Sequence, residues 1–313
     1  MGSIHRVDLQ EVRSIGQTGP PTWARALLAG LQEHGFVRII GHDIPADLIS
    51  RAREAFQRFF ELSEPEKCRS GGVSGGQRGF TPFGLEHARD QTSPDQKEFF
   101  HVGQHHPPGN AQPHHYAQNI WPEAVPELRE AALSLYEKLE ATATTLLQGL
   151  ALACELPKKT FSDMIVNGNS VLRAVHYPPV AAGNEPGSMR AAPHEDINLI
   201  TLVCGETDAG LEILDRFGNW LPITTTQDEL VADVGDMLAR MTNNTLRATT
   251  HRVVARGAQQ DKSRYSLPFF AHPRPECDLS VLNAFLSGDE TPIFPPIDAA
   301  HFLEERLKEI GLL

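Results

Sequence analysis

Between residues 168 and 275 the chain is a succession of short β-type runs broken by turn residues, with no helical period among them. The runs cover 171–177, 197–204, 210–214, 230–234, 237–239, 251–254 and 265–271, and Gly-Asn at 218–219 and Gly-Asp at 235–236 are among the separators. Many short strands with frequent turns predict a double-sheet barrel or jelly roll.

Outside that block the periodicity is helical. Ala24, Leu27, Leu28 and Leu31 recur at helical spacing and stop at Gly35, and Leu48, Ile49, Ala52, Phe56, Phe59 and Phe60 share a second helical face. Both stripes are read as packing surfaces. A long helical pattern starts at Pro126, where the missing N–H needs no partner, and runs to about residue 155. Residues 299–313 are helical again. The expected class is α+β. Residues 1–125 would form an N-terminal region of helices and short strands, and 126–313 a β core with a long helix before it and a helix after it.

Within the β block stands His194-Glu195-Asp196, followed 55 residues later by His251. On a strand, residues i and i+2 share a face, so His194 and Asp196 can converge on one ion while Glu195 points elsewhere. A later strand carrying His251 can supply a third ligand. Two imidazoles and one carboxylate leave three octahedral positions open, the arrangement of non-haem iron(II) oxygenases. A closed four-ligand zinc cage would deny dioxygen a place.

Thirteen residues beyond His251 comes Arg264-Tyr265-Ser266, in which Arg264 and Ser266 share a face. A guanidinium can make two parallel hydrogen bonds to a carboxylate, and a serine hydroxyl a third. That suits the distal carboxylate of a dicarboxylic co-substrate whose keto-acid end chelates the iron. Taken alone, Arg264 reads sooner as a surface arginine paired with an acid, and its spacing from His251 reverses that preference.

A formal net charge of -12 argues against nucleic acid as a partner. No stretch approaches the ~20 apolar residues that span a bilayer, and the first residues lack the blocks of a secretory signal. Cys68, Cys154, Cys204 and Cys277 lie far apart without a CxxC pair, which disfavours both structural zinc and a disulfide framework and suits a cytoplasmic protein. The glycine-rich stretch 70–84 lacks the Gly-Lys-Ser/Thr of a phosphate loop and is read as a loop bordering the site. Residues 104–119 hold His105, His106, His114 and His115 among Pro, Gly, Asn and Gln, a composition read as a solvated loop rather than a metal frame.

Further pieces fall along most of the chain: Gly41-His42-Asp43-Ile44-Pro45, Asp95-Gln96-Lys97-Glu98, Leu172-Arg173 with Tyr177-Pro178-Pro179, Gly210-Leu211 and Val234-Gly235-Asp236. With His194-x-Asp196, His251-Arg252-Val253 and Arg264-Tyr265-Ser266, the sequence resembles the isopenicillin N synthase-like branch of the iron(II)/2-oxoglutarate-dependent dioxygenases. The resemblance implies a double-stranded β-helix core, with Fe(II) on His194, Asp196 and His251 and 2-oxoglutarate on Arg264, Ser266 and Tyr177. It implies a reaction in which O2 and 2-oxoglutarate are consumed, a C–H bond of an unidentified small molecule is oxidised, and succinate and CO2 leave. Phe270 is read either as a wall of the substrate pocket or as barrel core.

Two positions depart from the family pattern. Val175-His176 stands where many relatives have Asn-Tyr, and His176 is expected to point away from Tyr177. Asp233 occupies a place often held by Asn, and a turn or a supporting hydrogen bond is expected there. Three alternatives stay open: an oxidase of the same fold that uses no 2-oxoglutarate, an ethylene-forming type of enzyme, and a non-catalytic metal-binding sensor of a small molecule.

Overall fold

The computed structural model describes residues 4–10, 19–72, 77–89, 95–105, 116–179, 189–288 and 290–313. Residues 73–76 of the glycine-rich stretch and 106–115 of the histidine-rich one, with His106, His114 and His115, lie outside the described residues.

Two sheets face each other. The larger begins with β1 (His5–Asp8) and β2 (Phe36–Ile40) at one edge and ends with β4 (Glu98–Gly103) and β3 (Gly79–Thr81) at the other. Between them lie β10 (Leu230–Val234), β7 (Ile200–Cys204), β12 (Arg264–Ala271) and β5 (Val171–Tyr177), in that order. The smaller sheet runs β6 (Ala191–His194), β11 (His251–Val253), β8 (Leu211–Leu214), β9 (Trp220–Pro222). Only β1 and β2 pair in parallel among the described strands. The architecture is the expected α+β jelly roll, and strands on both sides of residue 125 share the larger sheet.

Period-two alternation divides the chemistry between the faces of that sheet. On β12, Leu267, Phe269 and Ala271 turn outward into the main apolar core, while Arg264, Ser266, Pro268 and Phe270 line the space between the sheets. The outward face is covered by α1 (Thr22–His34), α2 (Ala46–Phe60) and α4 (Glu127–Ala153). Phe269 is fully buried there, its ring 5.1 Å from that of Tyr136 on α4. Burial of one such side chain stabilises the fold by about 1.5–3 kcal/mol. α1 stops where expected, because Gly35 takes φ 70° and returns its N–H to Leu31 at 2.9 Å. A Cβ at Gly35 would come within 2.2 Å of Thr249 Oγ1.

Between the sheets the apolar packing is split. One small cluster holds Phe36, Leu211, Ile213 and Val231, and the other Phe99, Val175, Tyr177, Ala191 and Val253. A cavity takes part of its wall from each of them.

The run at 237–239, expected as a strand, is instead inside α6 (Asp236–Met241). Met, Leu and Ala are good helix formers, and a short run buried on every side carries no period to distinguish the two structures. The expected strand 197–204 is shortened to β7, because Asn198 spends its side-chain amide on Ile200 O and Thr201 Oγ1. α3 (Glu64–Cys68), which the sequence reading did not anticipate, starts at a capping box in which the Glu66 carboxylate accepts the Ser63 N–H at 3.1 Å. α5 (Ser162–Ile165) is a single turn, and α7 (Ala299–Glu309) closes the chain near the site.

Candidate metal centre and adjoining cavities

His194 and His251 are direct partners in the antiparallel β6–β11 pair, with ring centroids 4.3 Å apart. β6 ends at His194, so Asp196 lies in the turn leading to β7, where its carbonyl accepts the Asp236 N–H at 2.7 Å. Convergence of His194 and Asp196 therefore comes from a pinned turn rather than from strand alternation.

Nδ1 of His194 lies 2.7 Å from Ala192 O, and Nδ1 of His251 lies 3.2 Å from Thr249 O. A carbonyl can only accept, so both rings carry their proton on Nδ1 and turn the Nε2 lone pair inward. The two Nε2 atoms stand 3.9 and 3.7 Å from Asp196 Oδ1. Such gaps are too long for hydrogen bonds and are spanned by a cation about 2 Å from each donor. Burial, reinforced by the neighbouring His194, pushes the His251 imidazolium pKa down to about 4, which keeps that ring neutral and able to donate its lone pair. The donor set thus fits a divalent metal with an open half-shell.

Asp196 is held from behind. Its Oδ2 accepts the Thr201 hydroxyl, which has one hydrogen to give. Thr201 in turn accepts from Asn198 Nδ2 at 3.1 Å. Asp233 sits mid-strand on β10, opposite Thr201 and Phe36, rather than in a turn. Burial, with the Asp196 charge adding to it, pushes its carboxyl well above the usual range, which favours the neutral form.

The cavity between the sheets spans about 600 Å³ with its mouth included and is lined by Tyr177, His194, His251, Arg264, Ser266 and Phe270 among others. Arg264 is 2% exposed. Its Nε donates to Asp208 O at 3.0 Å, Nη1 to Ser266 Oγ at 3.3 Å, and Nη2 to the Glu206 carboxylate. Tyr177 is its partner across β5–β12, the ring centre 5.3 Å from the guanidinium carbon.

A second cavity, of about 960 Å³ with its mouth included, opens on the other side of His194 and Asp196. Phe270 lines both cavities and is half-buried, which makes it a wall and leaves the core role to Phe269. Beside it stands a buried ionic cluster. Lys97 Nζ meets Glu86 at 2.6 Å and Asp95 at 2.7 Å, and Arg173 meets Glu86 at 3.0 Å and His101 at 2.6 Å. The Arg173 guanidinium also lies 4.1 Å from the Phe99 ring centre and 5.2 Å from that of Phe270. Burial alone would raise the Glu86 carboxyl, but the charges of Arg173 and Lys97 outweigh it and hold the group well below the ordinary range. Burial likewise opposes the Lys97 charge, and Glu86 and Asp95 override it, so the ammonium is held above its usual range.

His176 points away from the site, as alternation on β5 requires. Its ring bonds Glu98 at 2.7 Å and Ser263 at 3.0 Å and stacks on Tyr265 at 4.7 Å. Sequence reasoning missed Thr201, Glu206 and the Glu86–Lys97–Arg173 cluster. A charged residue at an inward position of an apolar strand, as Arg173 is in VLRAVHY, was the available signal.

Comparison with known proteins agrees with this geometry. Residues 4–124 match the family model described as non-haem dioxygenase in morphine synthesis N-terminal, and residues 168–273 match that of the 2OG-Fe(II) oxygenase superfamily. The chain is 30% identical to the 2-oxoglutarate-dependent dioxygenase ecdK of Aspergillus rugulosus, over 97% of this chain and 98% of that one. A crystal structure of a 2OG-Fe(II) oxygenase family protein from Caulobacter crescentus is 35% identical, with a TM-score of 0.86 and 99% of each chain covered. A Neurospora crassa protein, solved in complex with alpha-KG and thymine, shares the fold at a TM-score of 0.83 and 24% identity, over 97% of this chain and 96% of that one. The chain is an enzyme that uses Fe(II), 2-oxoglutarate and O2, and it belongs to the 2OG-Fe(II) oxygenase superfamily, in the isopenicillin N synthase-like branch.

Proposed function

We propose that Nε2 of His194, Nε2 of His251 and Oδ1 of Asp196 hold the iron, that Arg264, Ser266 and Tyr177 receive the distal carboxylate of 2-oxoglutarate, and that Phe270 borders the substrate. The observation that carries this reading is the convergence of the three donors at a cavity containing a buried arginine and a serine, with two of them, His194 and Asp196, also lining a second cavity. Iron(II) bound there supplies the reductive activation of dioxygen, coupled to conversion of 2-oxoglutarate to succinate and CO2.

The chain's own residues have narrower tasks. The Nδ1–carbonyl bonds fix both rings, and Thr201, by occupying Oδ2, leaves Asp196 a single oxygen facing the ion. Arg264 orients the co-substrate by charge and by two-pronged geometry. The substrate cavity has an ionic wall at Glu86 and Arg173 and an apolar wall at Leu303, Leu307 and Ile310. This favours a small molecule with a polar end against the cluster and a C–H-bearing part near the ligands.

Residues 1–125 contribute Lys97 and the outer strands to this arrangement, and 126–313 the ligands and the anchor, which is the sense in which we divide the chain. Four free thiols support a cytoplasmic location. The test is succinate formation from 2-oxoglutarate by the iron-loaded protein under a broad substrate screen. The expected result is turnover that Arg264→Ala abolishes or greatly weakens. Oxygen uptake independent of 2-oxoglutarate would overturn the co-substrate assignment.

A further inference from the structure

The arginine expected to anchor the co-substrate already has an acid. Glu206, in the turn between β7 and β8, is ion-paired with Arg264 Nη2, and its other carboxylate oxygen accepts the Thr225 hydroxyl at 3.2 Å. The pair is secluded, the side chains being 2% and 13% exposed. A guanidinium so buried requires a counter-charge, and Glu206 supplies one from within the chain.

A dicarboxylate that reaches Arg264 and Ser266 brings a second anion to the same guanidinium. In a low-dielectric cavity two carboxylates around one cation repel each other strongly, so they compete for it. Glu206 also borders a second space. It lines both the cavity of the metal centre and a neighbouring one formed by Arg53 and Ser50 of α2 with Thr225 and Thr226. The acid already in that neighbouring cavity, Glu229, is taken by Arg6 and Arg38, whereas Arg53 makes no ion pair among the described residues.

We propose that Glu206 is a displaceable internal counter-ion: it competes with the distal carboxylate of 2-oxoglutarate for Arg264, gives way toward Arg53, and so sets the affinity for the co-substrate. The proposal rests on Arg264 being the co-substrate anchor. A keto acid with no distal carboxylate neither meets Glu206 nor needs to move it, so the competition is confined to dicarboxylates.

The experiment is calorimetric titration of the manganese(II)-loaded protein, which does not turn over, with 2-oxoglutarate and with 2-oxobutyrate. Glu206→Gln keeps the shape and an oxygen acceptor for Arg264 while removing the charge. It should bind 2-oxoglutarate about tenfold more tightly than the parent, within the range typical of coupled ligands, and bind 2-oxobutyrate unchanged. Thermal melting gives a second readout: the unliganded variant should melt below the parent, and 2-oxoglutarate should raise its midpoint by more. Unchanged or weaker binding of 2-oxoglutarate by Glu206→Gln overturns the proposal, and so does equal tightening of both keto acids. Arg264→Ala separates the two readings. If it binds 2-oxoglutarate as well as the parent does, the anchor itself is misassigned, whatever Glu206 does.

Discussion

His194 and His251 face each other across a strand pair, and each gives its Nδ1 hydrogen to the carbonyl two residues earlier in its own strand or turn, Ala192 and Thr249. The same local device, used twice, turns both Nε2 atoms toward Asp196, and the Phe36 ring packs 5.3 Å from that of His251. Because the backbone holds the rings, the site should be formed before metal arrives.

His251→Ala removes one of three donors and should lower iron(II) affinity by more than about a hundredfold, beyond the loss typical of a supporting partner. Iron(II) should raise the melting temperature of the parent and leave that of this variant nearly unmoved, which anaerobic melting curves will read.

Asp233 is buried opposite Thr201, where burial favours its neutral form, and an asparagine keeps that shape without a charge. Asp233→Asn should therefore retain iron affinity within about threefold, whereas Asp233→Ala, which opens a gap behind Thr201, should lose roughly tenfold or more, as for other supporting partners of metal ligands. Equal losses in both would show that shape and polarity at this position are not the point.

Glu86 gives the fold a dependence on acid. Its carboxyl is held below the ordinary 4.5, so its contribution is fully present above that pH and is lost as pH falls toward the depressed value. Glu86→Gln should cost about 3–5 kcal/mol near neutrality, because Lys97 and Arg173 lose their acid. Its stability should then fall less steeply than the parent's between about pH 5 and pH 2, in denaturant titrations run at several pH values.

Phe269 and Phe270 are neighbours with opposite duties. Phe269→Ala should cost about 3–5 kcal/mol through a core cavity, with substrate preference unaltered. Phe270→Ala should cost about 1 kcal/mol and shift KM for the substrate. Urea melts alongside steady-state kinetics separate the two.

The legible part of this molecule was whatever repeats with a period or sits in a short motif. β5 and β10 match their apolar runs end to end, and the anchor side chains Arg264 and Ser266 of β12 and the ligand His251 of β11 point as alternation requires. The turn that delivers Asp196 was not legible, since it depends on Asp236 and Asn198 binding across a bend. Nor were β1, β3 and β4, which are edge or near-edge strands with few residues and mixed polarity. The cluster of Glu86, Asp95, Lys97 and Arg173 exists only because β4 and β5 pair, and Glu206 meets Arg264 across 58 positions of chain. Contacts of that kind leave at most a hint, such as the charge of Arg173 inside an apolar strand.

Because Phe270 is shared by both cavities, any attempt to retool the enzyme at that position disturbs two recognition tasks together. The opposite wall is free of this conflict. Leu303 and Leu307 of the last helix, with Ile310 just after it, line the outer cavity and not the one that holds Arg264, so selectivity can drift there while the oxidising centre stays untouched. Directed evolution aimed at new substrates should find its useful changes along that terminal helix first.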